Sequence, residues 1–185
     1  MIRFVTSNEG KFVEVQRMMQ FEGLQVEQFN YAYPEIQTGS LEAVLGYAAP
    51  FLDEALKGDY MADDSGIFIS ALQGFPGVYS AYANDTLRCE GILRLMEGVR
   101  DRTAEFQTVV LVSINADKHY FKSSCRGTIA EKKRGRHGFG YDPIFIPQGH
   151  KRTFAQMSLD EKNAVSHRGR AFREVIRYLR SRRLA

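Results

Sequence analysis

The sequence predicts a mixed α/β fold, a sheet with helices on both of its faces, and three observations carry that prediction. A strand pattern runs straight into a helix pattern at the start of the chain, two long β-type runs adjoin each other in its second half, and apolar stripes of helical period lie between and after them. Ile2 to Val5 reads as the first strand, and beyond Thr6-Ser7-Asn8-Glu9-Gly10 a helix carries Phe12, Val15 and Met19. Leu24, Val26 and Phe29 suggest a short second strand. Ser40 is the expected N-cap of a helix with Leu41, Val44, Leu45, Ala48, Leu52, Ala55 and Leu56 on one face. Strands around 60–63 and 67–71 are expected to flank Asp63-Asp64-Ser65-Gly66, and a helix near Thr86 to Glu97 turns Cys89, Ile92, Leu93 and Met96 inward. The runs Ala104 to Asn115 and His119 to Ile129, separated by Ala116-Asp117-Lys118, read as a long hairpin. Both faces of its first strand are largely apolar, which requires cover on both sides. Ser158-Leu159-Asp160-Glu161 is a capping-box sequence that starts a short helix. The last helix is amphipathic through Phe172, Val175, Ile176 and Leu179, with Arg177, Arg180, Arg182 and Arg183 outward as solubilising charge.

Length and composition bound the function. The chain has 185 residues, 44% hydrophobic and 25% charged, which fits one globular domain spanning 1–185 and excludes disorder. No apolar run approaches the roughly 18 to 20 residues of a membrane span. Met1 leads straight into Ile2-Arg3-Phe4-Val5 without a basic start and long apolar core, so a cytoplasmic site is expected. Cys89 and Cys125 lack metal-ligand spacing and read as packed thiols. The formal charge of +3 is unevenly placed: from Lys162 to Ala185 there are eight Lys/Arg against the single acid Glu174. Such a segment suits a nucleic acid, a polyanionic small molecule, or simply a solvated helix face.

Five segments carry candidate chemistry. Asp63-Asp64-Ser65-Gly66 offers two carboxylates where a strand is expected to end; it serves either as a turn or as a cation site, since Mg²⁺ takes one or two carboxylates and leaves its other positions to water and phosphate. Thr6 to Lys11 is a strand-to-helix junction whose free N–H groups and lysine suit a phosphate, or whose polar side chains merely cap the helix. The Walker spacing is absent. Glu35, after Pro34, is an isolated acid in a segment poor in charge. Gly135 to Pro147 alternates glycines with aromatics, so that Phe139 or Tyr141 could stack on a flat base while Asp142 accepts hydrogen bonds from it; such stacking is worth about 1–3 kcal/mol per base. Ser166-His167-Arg168-Gly169-Arg170 marks a helix break that exposes polar groups.

Together these segments describe a nucleotide with its metal. Thr6-Ser7-Asn8 with Lys11, Pro34-Glu35, Asp63-Asp64-Ser65-Gly66, Gly74-Phe75-Pro76-Gly77-Val78-Tyr79-Ser80, Gly138-Phe139-Gly140-Tyr141-Asp142-Pro143, Thr153-Phe154-Ala155 and Glu161-Lys162-Asn163-Ala164 through Ser166-His167-Arg168-Gly169 occur in the order and spacing of one family. From about residue 2 to residue 178 the chain resembles the inosine triphosphate pyrophosphatases, which act on non-standard purine nucleoside triphosphates. The resemblance implies cleavage of ITP, dITP or XTP between the α and β phosphates with Mg²⁺, or Mn²⁺ in its place. It implies two lobes around a long mixed sheet with the nucleotide in a cleft between them, and a homodimer. By the same resemblance Glu35 and Asp64 hold the metal, Asp64 accepts the proton, and Asp63 supports them. Thr6, Ser7, Asn8, Glu9, Gly10, Lys11 and Ser65 bind triphosphate, while Phe139, Gly140, Tyr141 and Asp142 line the base pocket that Lys162, His167 and Arg168 complete. Two departures stand out: Tyr82 where many relatives have Arg, and a short loop from Ala83 to Thr86.

A donor in the His167-Arg168 region would reward the 6-keto group of hypoxanthine or xanthine and face a second donor on adenine. The competing readings are a nucleic-acid-binding protein using the basic C-terminal helix and the Phe139/Tyr141 loop, and a related pyrophosphatase for modified pyrimidine nucleotides. The first leaves the acidic pair without a task.

Overall fold

The computed structural model describes residues 1–34 and 36–183, the side chain of residue 183 excepted. Its elements are β1 (Ile2–Val5), α1 (Glu9–Phe21), β2 (Val26–Phe29), α2 (Leu41–Leu56), β3 (Tyr60–Ile69), β4 (Pro76–Gly77), α3 (Ser80–Thr86), α4 (Arg88–Leu95), β5 (Thr103–Ile114), β6 (Asp117–Ile129), β7 (Phe145–Pro147), α5 (Leu159–Val165) and α6 (His167–Arg183). Strands run in the order β2-β1-β3-β5-β6-β7, with β4 paired to β3. The sheet is mixed: β1 is parallel to β2 and β3, whereas β3–β4 and β6–β7 are antiparallel. No helix among the described residues is long and apolar enough to cross a membrane.

The chain divides into two compact units, each discontinuous in sequence. The first comprises Met1–Asp64, Thr108–Ser123 and Arg168–Ala185; the second comprises Ser65–Gln107 and Ser124–His167. The first unit's core gathers Phe4, Val15, Met19, Met61, Val110, Val112, Phe172 and Val175, with the Phe172 ring edge-on to Phe4 at 5.5 Å. The second unit's core gathers Ile67, Ile92, Met96, Phe106, Ile129, Phe145 and Phe154. Cys89 and Cys125 are buried within it as thiols.

Local chemistry explains most element boundaries. Ser40 caps α2 by accepting from Ala43 N, and Ser158 with Glu161 completes the capping box of α5. The β5–β6 hairpin turns at Asn115 and Ala116, both at positive φ (51° and 67°), one residue earlier than the spacing suggested. Val109 to Val112 are all buried, so both faces of β5 are covered there as their apolarity requires. The helix expected near Thr86 to Glu97 is α4, and a further short helix, α3, precedes it; the two meet at Leu87 and Arg88, where the φ of Arg88 is +56°. Residues 83–86 form no loop but the end of α3, and Tyr82 on that helix is 72% exposed.

The largest difference lies at the acidic pair. Asp63-Asp64-Ser65-Gly66 is no turn: it lies within the continuous ten-residue strand β3. The segment is held extended from both ends, since β1 pairs with residues 60–62 and β4 with residues 67 and 68, while β5 neighbours β3 in the sheet. Gly66 serves close approach rather than bending, since a Cβ there would sit 2.2 Å from Gly77 O and 3.2 Å from Ser80 Oγ. Ser80 Oγ in turn accepts from Ile67 N at 2.8 Å and donates to Gly77 O at 2.6 Å. Gly66→Ala is therefore expected to cost about 1–3 kcal/mol by overpacking against backbone, measured as a lower midpoint in urea unfolding.

Candidate active site

In the first unit the site is a chain of charges. β1 ends at Val5, and Asn8 caps α1 by accepting from Lys11 N at 3.0 Å, while Thr6 Oγ1 accepts from Asn8 N at 3.1 Å. The capping reading of Thr6 to Lys11 is thus realised. Thr6 is buried, Ser7, Asn8 and Glu9 are exposed, and Gly10 is half-buried. Lys11 points its ammonium at Asp63, 3.2 Å from both Oδ1 and the carbonyl oxygen. Asp63 Oδ2 accepts from Arg168 Nε at 3.1 Å, and Arg168 Nη1 reaches Glu14 Oε2 at 2.7 Å. The Asp63 side chain has no exposure and Arg168 only 2%. Burial opposes the guanidinium charge, but the carboxylates of Asp63 and Glu14 outweigh it and hold Arg168 above its ordinary pKa.

Strand geometry separates the two aspartates. Successive side chains on β3 leave opposite faces, so Asp63 is buried against Lys11 and Arg168 while Asp64 is half-buried on the other face. Thr108, buried on β5, donates to Asp64 O at 3.1 Å. Asp64 offers a hard oxygen donor and fits a divalent ion of the Mg²⁺ type, which needs only one or two carboxylates. Among the described residues no group of three or more His, Cys, Asp or Glu stands together. Glu35, the other expected ligand, lies outside the described residues.

In the second unit the glycine-aromatic loop folds around Asp142. Asp142 Oδ2 accepts from Phe139 N at 2.8 Å and from Lys162 Nζ, and both charged side chains are 4% exposed. Gly138, at φ +73°, is required: a Cβ there would lie 2.0 Å from Asp142 Oδ2. Lys162 Nζ lies over the rings of Phe139 at 4.7 Å and Phe154 at 5.5 Å. The imidazole of His167 stacks on Phe106 with centroids 4.6 Å apart and planes 5° apart. Gly140 O accepts from Cys89 Sγ at 3.3 Å, and burial pushes that thiol up to about 11, which leaves it a packing group rather than a nucleophile. Ser65, half-buried, begins this unit.

Two of the expected site residues are held by buried contacts. Tyr141 is 4% exposed in the core and its hydroxyl donates to Ser80 O at 3.0 Å, while Phe139 is half-buried. Arg168 donates through Nε and Nη1 to the buried carboxylates of Asp63 and Glu14. Residues that the sequence reading did not select include Glu14, Thr108 and Phe106. The signal for Glu14 was an acid directly preceding Val15 on the inward side of α1; for Thr108 it was one hydroxyl in the apolar row Phe106, Val110, Val112. The basic C-terminal helix offers less free charge than its composition suggests, since Arg177, Arg180 and Arg182 pair with Glu174, Glu22 and Asp117.

Residues 2–178 match the family model described as "Ham1 family". The chain is 46% identical over 179 residues to the dITP/XTP pyrophosphatase of Pyrococcus horikoshii, covering 97% of this chain and 96% of that protein. It is also 46% identical to the protein of the same name from Thermococcus kodakarensis, covering 97% of each. Among solved structures, the Ham1 protein of Staphylococcus aureus superposes with a TM-score of 0.80 at 30% identity, covering 97% of this chain and 99% of that one. The Ham1 protein of Coxiella burnetii gives 0.81 at the same identity, covering 98% and 100%. These similarities define an α/β protein of the kind that the residue patterns anticipated. The chain belongs to the Ham1 family.

Glu14→Ala is expected to destabilise the fold by about 3–5 kcal/mol, because it removes one of two carboxylates from a fully buried guanidinium. Urea unfolding measures it, and Glu174→Ala, which breaks an exposed pair, is the control expected to cost under about 1 kcal/mol.

Proposed function

We propose that the chain hydrolyses the non-standard purine nucleoside triphosphates ITP, dITP and XTP at the α–β phosphoanhydride, releasing the nucleoside monophosphate and pyrophosphate and so removing them from the nucleotide pool. The observation that carries this reading is the near full-length identity of 46% to proteins named dITP/XTP pyrophosphatase. The residue geometry supports a division of roles. Lys11 and the N–H groups at the start of α1, from Thr6 through Gly10, take the triphosphate together with Ser65. Asp64, with Glu35, would hold a divalent ion, Mg²⁺ or Mn²⁺; when bound, the ion neutralises phosphate charge that resists attack. The Asp64 carboxylate orients the water and takes its proton. Asp63 supports by holding Lys11, and Arg168 supports by holding Asp63. Phe139 stacks on the base, the backbone at Gly140 and Tyr141 lines its pocket, and Asp142, Lys162 and His167 read its edge. A 6-keto acceptor meets the donors of Lys162 and His167, whereas the 6-amino group of adenine faces them donor to donor, a mismatch that a buried site rejects strongly. The chain acts as one domain, as a cytoplasmic homodimer without a nucleic-acid partner.

Pyrophosphate release is measured across ITP, dITP, XTP, GTP, ATP and modified pyrimidine triphosphates with Mg²⁺. Turnover of the first three well above GTP and ATP is expected, and Asp64→Asn is expected to lower it about 10²–10⁴-fold. No release from any member of the panel overturns the proposal, and a preference for the modified pyrimidines replaces the substrate class.

A further inference from the structure

We propose that Phe106 is a positioning residue for base recognition: its ring face sets the plane of the His167 imidazole. This rests on the reading of His167 as a base-binding group. The two rings are almost parallel, 5° apart with centroids at 4.6 Å, and both are buried, at 8% and 3% exposure. Phe106 is itself held. Phe145 meets it edge-on at 4.8 Å and 74°, Phe154 lies at 6.0 Å, and Phe145 and Phe154 touch each other at 5.1 Å. None of the three rings can tilt without displacing another buried ring.

The backbone alone does not orient the imidazole. Ser166 is extended (φ −70°, ψ 160°) and His167 opens α6, which places the His167 Cα. The terminal torsion of a histidine is broad and roughly two-fold, however, so the ring plane has to be chosen by a neighbour. A hydrogen bond from imidazole lies in that plane and weakens steeply off line. Setting the plane therefore sets where the bond to a purine edge points. An aliphatic side chain at position 106 would fill the space without offering the imidazole a parallel face. The same aromatic layer also carries Lys162, whose ammonium lies over Phe154, so Lys162 and His167, the two donors assigned to the base edge, rest on one platform.

The test combines a spectroscopic and a kinetic readout. In wild-type protein the His167 ring protons, identified as the signals absent from His167→Gln, are expected upfield of those of the exposed His137 and His150, because they lie over the Phe106 face. Phe106→Leu is expected to abolish that displacement and to raise KM for ITP about tenfold, with kcat changed less than about twofold. Phe106→Tyr keeps the ring and is expected to keep both the displacement and KM. The inference is overturned by undisplaced His167 signals in the wild type, by a folded Leu variant with wild-type KM, or by a Tyr variant that loses as much as the Leu variant. Should neither variant fold, the wild-type ring shift decides. Wild-type protein without activity on ITP would instead overturn the functional reading.

Discussion

Arg168 reaches Asp63 through Nε and Glu14 through Nη1, and Asp63 in turn holds Lys11, so four charges from α1, β3 and α6 cancel one another in the first unit. Taking such groups out of water is costly, with an idealised penalty on the order of 20 kcal/mol per ion. Only close, well-directed partners repay it. The contacts of 2.7 and 3.1 Å to Arg168 meet that condition, and they make the start of α1, the middle of β3 and the start of α6 mutually dependent. The ordering of Lys11 at the end of the chain of contacts is a consequence of this tie. A lysine left to its own rotamers would carry the same charge with no fixed address.

The second unit solves a comparable problem with rings in place of counter-charges. Lys162 is buried beside the Asp142 carboxylate and gains the faces of Phe139 and Phe154 in addition. Phe154 belongs to the layer with Phe145 and Phe106 that supports His167. Tyr141 closes the loop from below by bonding Ser80 O, and Ser80 Oγ bonds both Ile67 N and Gly77 O. Through that route the loop is anchored to β3 by buried hydrogen bonds, not by its own glycines. The glycines contribute at particular contacts, such as Gly138 against the Asp142 carboxylate.

What could be read in the sequence was whatever local chemistry decides. The capped starts of α2 and α5, the amphipathic stripe of α6 and the hairpin of β5 and β6 are set within a few residues of chain, and each lies close to where the pattern puts it. The acidic stretch failed the same logic because its conformation is decided by strands far away in sequence. Asp63 to Gly66 have turn propensity, but the pairing of β1 with residues 60–62 and of β4 with residues 67 and 68 holds the stretch between them extended. The Arg168–Glu14 pair spans 154 residues, and no spacing rule reaches that far. Tyr141 shows the remaining limit: glycine-aromatic alternation marks a loop that can approach a flat ligand, yet it does not say which aromatic faces outward. The buried hydroxyl bond to Ser80 decides that.

The strand through the acidic pair also accounts for how two adjacent aspartates can serve a polyanionic substrate. Two uncompensated carboxylates beside a triphosphate would repel it and raise each other's pKa. On β3 the alternation of side chains removes this conflict. Asp63 faces Lys11 and Arg168, whose two positive charges balance its own charge and that of Glu14, so this group adds no net field. Asp64, on the other face and half-buried, offers its carboxylate apart from that cluster. One or two carboxylates are what a divalent ion of the Mg²⁺ type requires from the protein when phosphate oxygens and water complete its shell. A turn at the same residues would have left both carboxylates on the surface without that distinction, which is why the continuity of β3 matters more to the proposed chemistry than the presence of the two acids.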